Sequence, residues 1–306
     1  GKSDEEELLT RCCAVLDKVL KGWQDPVELL FPAGKFDQAE RLFSDSAFSR
    51  VMNGCASQVV RGIVANKSDG RVMRVLEVGA GTGGTTSALL PLFPRNATEY
   101  TFTDVSGAFF TRAKARFDGY VGMSYRTLDL EREPEKQGFE NSRYDLVIAA
   151  NVLHATHDVV RSLRRLHQLL APGGFLLLAE STTKQRLTDL TYGLTPGWWK
   201  FQDVNLRGKH PLLSCSQWSG ALSAAGYSTI DIFPSLKGDQ EKMGGIVAVA
   251  RANGQRTDDL QQSWLLLSGE MEIAERLRDS MRARGFQANA TPVNEWCSDG
   301  NASIAD

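Results

Sequence analysis

Three observations predict that this chain folds as a doubly wound α/β sheet behind a helical preface. Strands alternate with helices from residue 71 to residue 252, and a glycine-rich turn joins the first strand to the first helix. The third observation is Tyr144 to Ala150, a run that is apolar almost throughout. Such a run suits a strand buried on both faces of a parallel sheet, and strand–helix alternation builds that sheet with helices on its faces.

The elements follow in order. In residues 1–70, Leu8, Leu9, Cys12, Val15, Leu16, Val19 and Leu20 recur at helical spacing and form one apolar face. Gln24-Asp25-Pro26 breaks or restarts that helix, Phe31-Pro32-Ala33-Gly34 is a turn, and Phe36 to Phe43 and Phe48 to Val64 are further helical stretches. The acidic start, Gly1 to Glu7, lacks the basic and apolar parts of a secretory signal and reads as a cut upstream of a helix. Arg71 to Val78 is the first strand, followed by a helix over Thr85 to Leu92. Glu99 to Thr103 and Ser124 to Leu128 are the second and third strands, with a helix over Ser106 to Phe117 between them. After Tyr144 to Ala150 comes a helix over Val159 to Leu170, ended by the turn Ala171-Pro172-Gly173-Gly174, and then the fifth strand, Phe175 to Ala179. Tyr227 to Phe233 and Ile246 to Ala250 are expected to close the sheet as an antiparallel pair. Residues 253–306 read as a linker and a new unit: strand-like Trp264 to Ser268, helix-like Met271 to Arg284, strand-like Phe286 to Val293.

Composition narrows the function. With 35 basic and 37 acidic residues the chain carries a net charge of −2, and it offers no broad surface for nucleic acid or anionic lipid. No apolar run approaches the roughly 20 residues that span a bilayer. The five cysteines are irregularly spaced and form no CxxC pair, which disfavours a zinc site or a disulfide framework and fits a reducing cytoplasm.

The strongest motif is Leu76-Glu77-Val78-Gly79-Ala80-Gly81-Thr82-Gly83-Gly84, between a strand and a helix. Gly79 and Gly81 let the backbone turn sharply and approach a ligand with no Cβ in the way. The acidic Glu77 before the glycines suits a ligand with a sulfonium and an amino group rather than a pyrophosphate. Asp104 closes the second strand, where a carboxylate accepts hydrogen bonds from ribose hydroxyls or serves the capping of the helix at Ser106, and Asp129, past the third strand, is either placed for an adenine amino group or a surface aspartate. The fourth strand ends in Asn151-Val152-Leu153-His154-Ala155-Thr156 and the fifth in Ala179-Glu180-Ser181. If the two strands are neighbours, Glu180 and His154 share one edge, and a carboxylate beside an imidazole orients it and stabilises its protonated form. No GxSxG elbow is present, so hydrolysis is disfavoured. His157 and His167 read as helix-surface residues. The aromatic stretch from Leu190 to Phe201, with Tyr192, Trp198 and Trp199, either lines an acceptor pocket or packs on the preface; His210 either lines the acceptor side or belongs to a plain loop.

Together, the glycine motif, Asn151 to Thr156, Ala171 to Gly174 and Gly197-Trp198-Trp199-Lys200-Phe201 resemble the methyltransferase domains of modular polyketide synthases, over roughly residues 24–252. Leu194 to Phe201 and His210-Pro211-Leu212-Leu213-Ser214 make the resemblance specific, and the fragment from Trp264 resembles the start of a ketoreductase's structural half. The resemblance implies a class I methyltransferase (Rossmann-like) fold, with residues 1–70 as a lid and neighbouring synthase domains as partners. S-adenosylmethionine is the implied cofactor and S-adenosylhomocysteine the product, with no metal. Glu77, Gly79 and Gly81 would hold the methionine part, Asp104 the ribose and Asp129 the adenine, with Asn151 in the same set. His154 would be the general base and Glu180 its partner, with Tyr192, Trp198, Trp199 and His210 on the acceptor side. The acceptor would be an acyl chain on the phosphopantetheine arm of an acyl carrier protein. The short preface favours oxygen methylation of a β-hydroxy or enol group; the alternative is the α-carbon of a β-ketoacyl chain, and an inactive scaffold domain is the reading of another class.

Overall fold

The computed structural model describes residues 3–67, 70–235, 237–253, 263–268, 271–283 and 287–292. Five helices come first: α1 (Asp4–Ala14), α2 (Leu16–Leu20), α3 (Pro26–Leu30), α4 (Asp37–Asp45) and α5 (Ala47–Ala65). Asp25 restarts the chain as α3 because its carboxylate accepts from Val27 N at 2.8 Å while Pro26 occupies the first helical position. Then follow β1 (Met73–Val78), α6 (Gly84–Leu89), β2 (Thr98–Asp104), α7 (Phe110–Arg116), β3 (Met123–Thr127), β4 (Tyr144–Ala150), α8 (Val159–Leu169) and β5 (Leu170–Ser181). Two single-turn helices, α9 (Arg186–Asp189) and α10 (Val204–Arg207), precede α11 (Cys215–Ala224), β6 (Tyr227–Phe233), α12 (Lys237–Met243) and β7 (Gly245–Ala252).

The sheet order is β3-β2-β1-β4-β5-β7-β6, with β7 antiparallel to both of its neighbours. The order reverses between β1 and β4, which opens a crevice at their carboxyl ends. Strand alternation divides the core in two. Leu76, Val78, Val147 and Ala149 face α8 and α11, packing with Leu163, Leu166, Trp218 and Leu222. Val75, Leu146 and Ile148 face the other way, onto Met52, Val60 and Leu89 of α5 and α6. Both faces of β1 and β4 are therefore dry, as their apolar composition requires.

The expected turn at Ala171-Pro172-Gly173-Gly174 is instead a bulge inside β5. Tyr144 pairs with Leu170 and Leu146 already with Phe175, so the four residues loop out of a strand that continues. A Cβ on Gly174 would lie 2.9 Å from the carbonyl oxygens of Ala171 and Tyr144, which explains the glycine. The helix expected over Ser106 to Phe117 begins with a 3₁₀ turn, Gly107–Phe109, and that over Thr85 to Leu92 ends with one, Leu90–Leu92.

Beyond the sheet, β8 (Ser263–Ser268), α13 (Met271–Ala283) and β9 (Gln287–Pro292) form a strand–helix–strand unit whose strands pair in parallel. The linker over 254–262, Arg284, Phe286, Val293 and the residues to 306 lie outside the described residues. Among the described residues, no helix is long and apolar enough to cross a membrane.

Candidate active site

The glycine loop is held by two backbone hydrogen bonds that lock its turns. Gly79 and Gly81 have φ of 62° and 53°, a region open to glycine. Ala80 N donates to Thr103 O at 2.9 Å, and Gly83 N to Ala80 O at 2.9 Å. The two glycines serve different ends. A Cβ on Gly79 would lie 2.3 Å from Val152 Cγ2, so Gly79 exists to let the turn after β4 close onto the loop. A Cβ on Gly81 would meet nothing nearer than the Gly79 oxygen at 3.9 Å, so its face is open to a ligand. The hydroxyl of Thr82 next to it is buried with no hydrogen-bond partner among the described residues.

Glu77 is buried beneath this loop, where its Oε2 accepts from Thr86 Oγ1 and Tyr100 OH, both at 2.6 Å. Burial pushes its carboxyl up to about 7, against the two hydroxyl donors that favour the charged form. Asp104 sits at the carboxyl end of β2, its Oδ2 accepting from Gly81 N at 3.0 Å and its Oδ1 from Ser106 N at 2.9 Å. It thereby ties the glycine loop to β2, and burial raises its carboxyl while these backbone donors oppose the shift. Asp129 follows directly: Leu128 N donates to Asp104 O at 3.0 Å, which brings the end of β3 alongside. Its Oδ1 accepts from Glu131 N at 2.9 Å, and Gln137 bridges its backbone on both sides.

On the other side of the crevice stands the histidine. His154 Nδ1 lies 2.7 Å from Glu180 Oε2, both side chains buried. Glu180 Oε1 accepts from Val152 N at 3.0 Å and Leu153 N at 2.8 Å, so one carboxylate orders the turn and orients the ring. This leaves Nε2 with no hydrogen bond to a described residue, two residues from the Val152 that touches Gly79. Asn151, at φ 49°, donates its backbone N–H to Ala179 O at 2.7 Å and accepts Ser181 N and Oγ on Oδ1 at 3.2 and 3.1 Å. It staples the ends of β4 and β5 together.

The aromatic stretch divides between the preface and the histidine. Tyr192 joins the preface, 5.8 Å from Phe43 between ring centroids and beside the cluster of Leu8, Cys12, Leu29 and Leu30. Trp198 is buried against His154, centroids 5.1 Å apart and planes at 62°. Trp199 stays half exposed and donates its indole N–H to Gly193 O at 2.7 Å. His210 is buried; its Nδ1 accepts from Leu212 N at 3.2 Å, its Nε2 meets Asp189 Oδ1 at 3.1 Å, and its ring stands edge-on to both tryptophans. Of the two histidines read as helix-surface residues, His157 pairs with Glu131 at 3.0 Å, while His167 is half-buried, edge-on to Tyr227.

Sequence reasoning missed Arg207. Its guanidinium is buried, donates to His154 O at 2.7 Å and Thr156 O at 2.6 Å, and is neutralised by Asp203. Asp203 also accepts Val159 N at 2.9 Å, fixing the start of α8. The Asp-x-x-x-Arg spacing from Asp203 to Arg207 is one helical turn and is the only trace of this pair in the sequence. Among the described residues, no group of three or more His, Cys, Asp or Glu side chains is arranged to hold a metal ion.

A family model described as a methyltransferase domain matches residues 76–176. The lovastatin diketide synthase mokB of Monascus pilosus is 39% identical over 231 residues, 74% of this chain and 9% of its own length. The highly reducing polyketide synthase ALT1 of Alternaria alternata is 33% identical over 286 residues, 84% of this chain and 11% of its own. The chain thus spans about a tenth of these two synthases. Among solved structures, the CurJ carbon methyltransferase is 45% identical with a TM-score of 0.79, over 82% of this chain and 67% of that one. The DszA carbon methyltransferase is 31% identical with a TM-score of 0.77, over 82% and 66%. The chain belongs to the S-adenosylmethionine-dependent methyltransferase domains of polyketide synthases.

Proposed function

We propose that this domain methylates the α-carbon of a β-ketoacyl chain presented on the phosphopantetheine arm of an acyl carrier protein, with His154 as the base. The observation that carries the reading is the 2.7 Å His154–Glu180 pair, its Nε2 unengaged and its turn packed onto the glycine loop through Val152. Likeness to two carbon methyltransferases, 45% and 31% identical, favours carbon over oxygen, against the expectation drawn from the short preface. Chemistry favours it too. A carbon between a ketone and a thioester gives up its proton far more readily than a secondary alcohol, so an imidazole suffices.

The residues present fit the cofactor. Gly81 leaves an open face, the Thr82 hydroxyl is unpartnered, and Asp104 presents a carboxylate at the end of β2. S-adenosylmethionine supplies an electrophilic methyl group on a positively charged sulfur. We assign the loop from Gly79 to Gly81, with Glu77 beneath it, to its methionine part, Asp104 to the ribose, Asp129 to the adenine, and Asn151 to the wall between cofactor and base. Glu180 holds the proton of Nδ1, so the lone pair of Nε2 receives the α-proton, and the carboxylate stabilises the imidazolium that results. Positioning of acceptor against cofactor then supplies much of the rate. Helices α1 to α5 act as a cover on the cofactor side; the synthase relatives imply neighbouring synthase domains as partners, and the carrier protein is the partner this reading adds.

The test is intact-mass analysis of β-ketoacyl and β-hydroxyacyl carrier protein incubated with S-adenosylmethionine and either wild-type or His154→Ala protein. The expected result is one methyl gained on the β-ketoacyl chain, placed on the α-carbon by fragmentation and lost in the variant. A methyl on the β-hydroxy oxygen would restore the oxygen reading. Cofactor binding without transfer to either chain would favour a scaffold.

A further inference from the structure

We propose that the indole N–H of Trp198 is the donor that receives the β-oxygen of the acceptor while its α-proton passes to His154. The inference rests on the carbon-methylation reading above and names the group that would stabilise the charge this reaction creates.

Trp198 lies in the 3₁₀ turn Pro196–Trp199 and is buried. Its Nε1 is sealed from solvent and has no hydrogen-bond partner among the described residues. Buried donors are nearly always paired, because an unmade hydrogen bond destabilises the folded chain. The next residue in the same turn shows what pairing looks like: Trp199 Nε1 donates to Gly193 O at 2.7 Å. Trp218 Nε1 is also unpartnered, but that ring belongs to the apolar cluster beneath α11. Trp198 instead stands edge-on to the imidazole of the proposed base, ring centroids 5.1 Å apart. Its other aromatic neighbour, His210, cannot accept the proton, since its Nδ1 is taken by Leu212 N and its Nε2 by Asp189. The guanidinium of Arg207 is likewise spent, on His154 O, Thr156 O and Asp203.

The chemistry calls for a donor in this place. When the α C–H bond breaks, the proton joins His154 Nε2 and the electron pair delocalises through the new enolate onto the β-oxygen. That oxygen is two bonds from the α-carbon, so base and donor must stand side by side, about one acyl fragment apart, as the two rings do. A donor aimed at charge that grows in the transition state accelerates the step by roughly 100-fold or more.

The test uses Trp198→Phe, which removes the N–H and keeps an aromatic ring, and Trp198→His, which keeps a ring donor. With six tryptophans in the chain, ¹⁵N labelling gives a small set of indole signals, and the one missing from Trp198→Phe is that of Trp198. Adding a 1,3-diketone analogue of the acceptor, attached to pantetheine, should move that signal downfield in the wild type. Trp198→Phe should lower kcat for carbon methylation about 100-fold. It should slow deuterium wash-in at the α-carbon, measured with S-adenosylhomocysteine bound, in parallel, and leave cofactor affinity unchanged. Trp198→His should recover part of the rate. An unshifted indole signal together with a kcat within threefold of wild type would overturn the inference while leaving carbon methylation in place. A wild type that methylates only the β-hydroxyacyl chain would remove both.

Discussion

Glu180 divides one carboxylate between two tasks, and its variants should separate them. Oε2 orients His154, while Oε1 satisfies the buried backbone donors of Val152 and Leu153. Glu180→Ala should therefore lose stability as well as rate. Two backbone donors left unpaired cost roughly 2–5 kcal/mol together, measurable by urea denaturation. His154→Ala should abolish methylation with a much smaller stability loss, because it strands one carboxylate oxygen and no backbone group. Glu77 makes a different prediction. Its carboxyl holds a proton up to about pH 7 in the folded chain, against its ordinary 4.5. The stability it contributes is thus complete below about 4.5 and lost as pH rises through 7. Glu77→Gln removes that decline, so the variant should exceed wild type by roughly 1–3 kcal/mol at pH 8 and converge with it near pH 4.5. Stability of both proteins measured across that range checks the sign, and a gap that widened towards acid would refute the assignment.

At the scale of elements, the preface is fastened to both sides of the crevice. On the cofactor side, Arg112 and Arg116 of α7 form ion pairs with Asp37 and Glu40 of α4, and Phe36 packs on Phe109 with centroids 4.9 Å apart. The exposed ion pairs add little by themselves; the closer constraint is Gly84. A Cβ there would lie 2.7 Å from Phe43 O, at the end of α4. Past β5, Tyr192 packs on Phe43. Gly84→Ala sets two effects against each other: alanine favours the helix by about 1 kcal/mol, whereas the overlap with backbone costs roughly 1–3 kcal/mol. The clash should win, giving a lower Tm and weaker cofactor binding, read by thermal unfolding with and without S-adenosylmethionine. A raised Tm would mean that α4 moves freely away from the loop. Of these attachments the sequence offered only the packing of the aromatic stretch on the preface, as one of two alternatives; the ion pairs and the Gly84 contact left no trace in it. The helical periodicity of residues 8–20 showed an apolar face, but what that face would meet depended on Tyr192 and Leu194, more than 170 residues along the chain.

In the molecule as a whole, the sheet order brings together residues from Glu77 to His210 because β1, β4 and β5 are adjacent and end at one edge. The same order sets a gradient of stability. Strands β1, β4 and β5 are paired on both sides and covered on both faces, whereas α1 to α3 rest on the small cluster around Leu8, Cys12, Leu29 and Leu30. Amide hydrogen exchange should be slowest in Leu76–Val78, Leu146–Ala149 and Leu176–Ala179 and faster by orders of magnitude in α1 to α3. Equal protection throughout would show that preface and sheet open as one unit.

The strand–helix alternation, the glycine turn and the apolar run of β4 were determined by the sequence alone, because each is a local pattern with a period or a backbone conformation that few other residues satisfy. So was the expectation that His154 and Glu180 share an edge, once β4 and β5 were taken as neighbours. Tertiary structure alone decided that Gly79 answers to Val152, that Glu77 is spent on Thr86 and Tyr100, that Tyr192 and Trp198 part company, and that Arg207 holds the backbone of His154. Most of these are contacts between residues distant along the chain. Local pattern carries no record of such a partner, because the partner is chosen by the order in which strands pair and by the shape left between them.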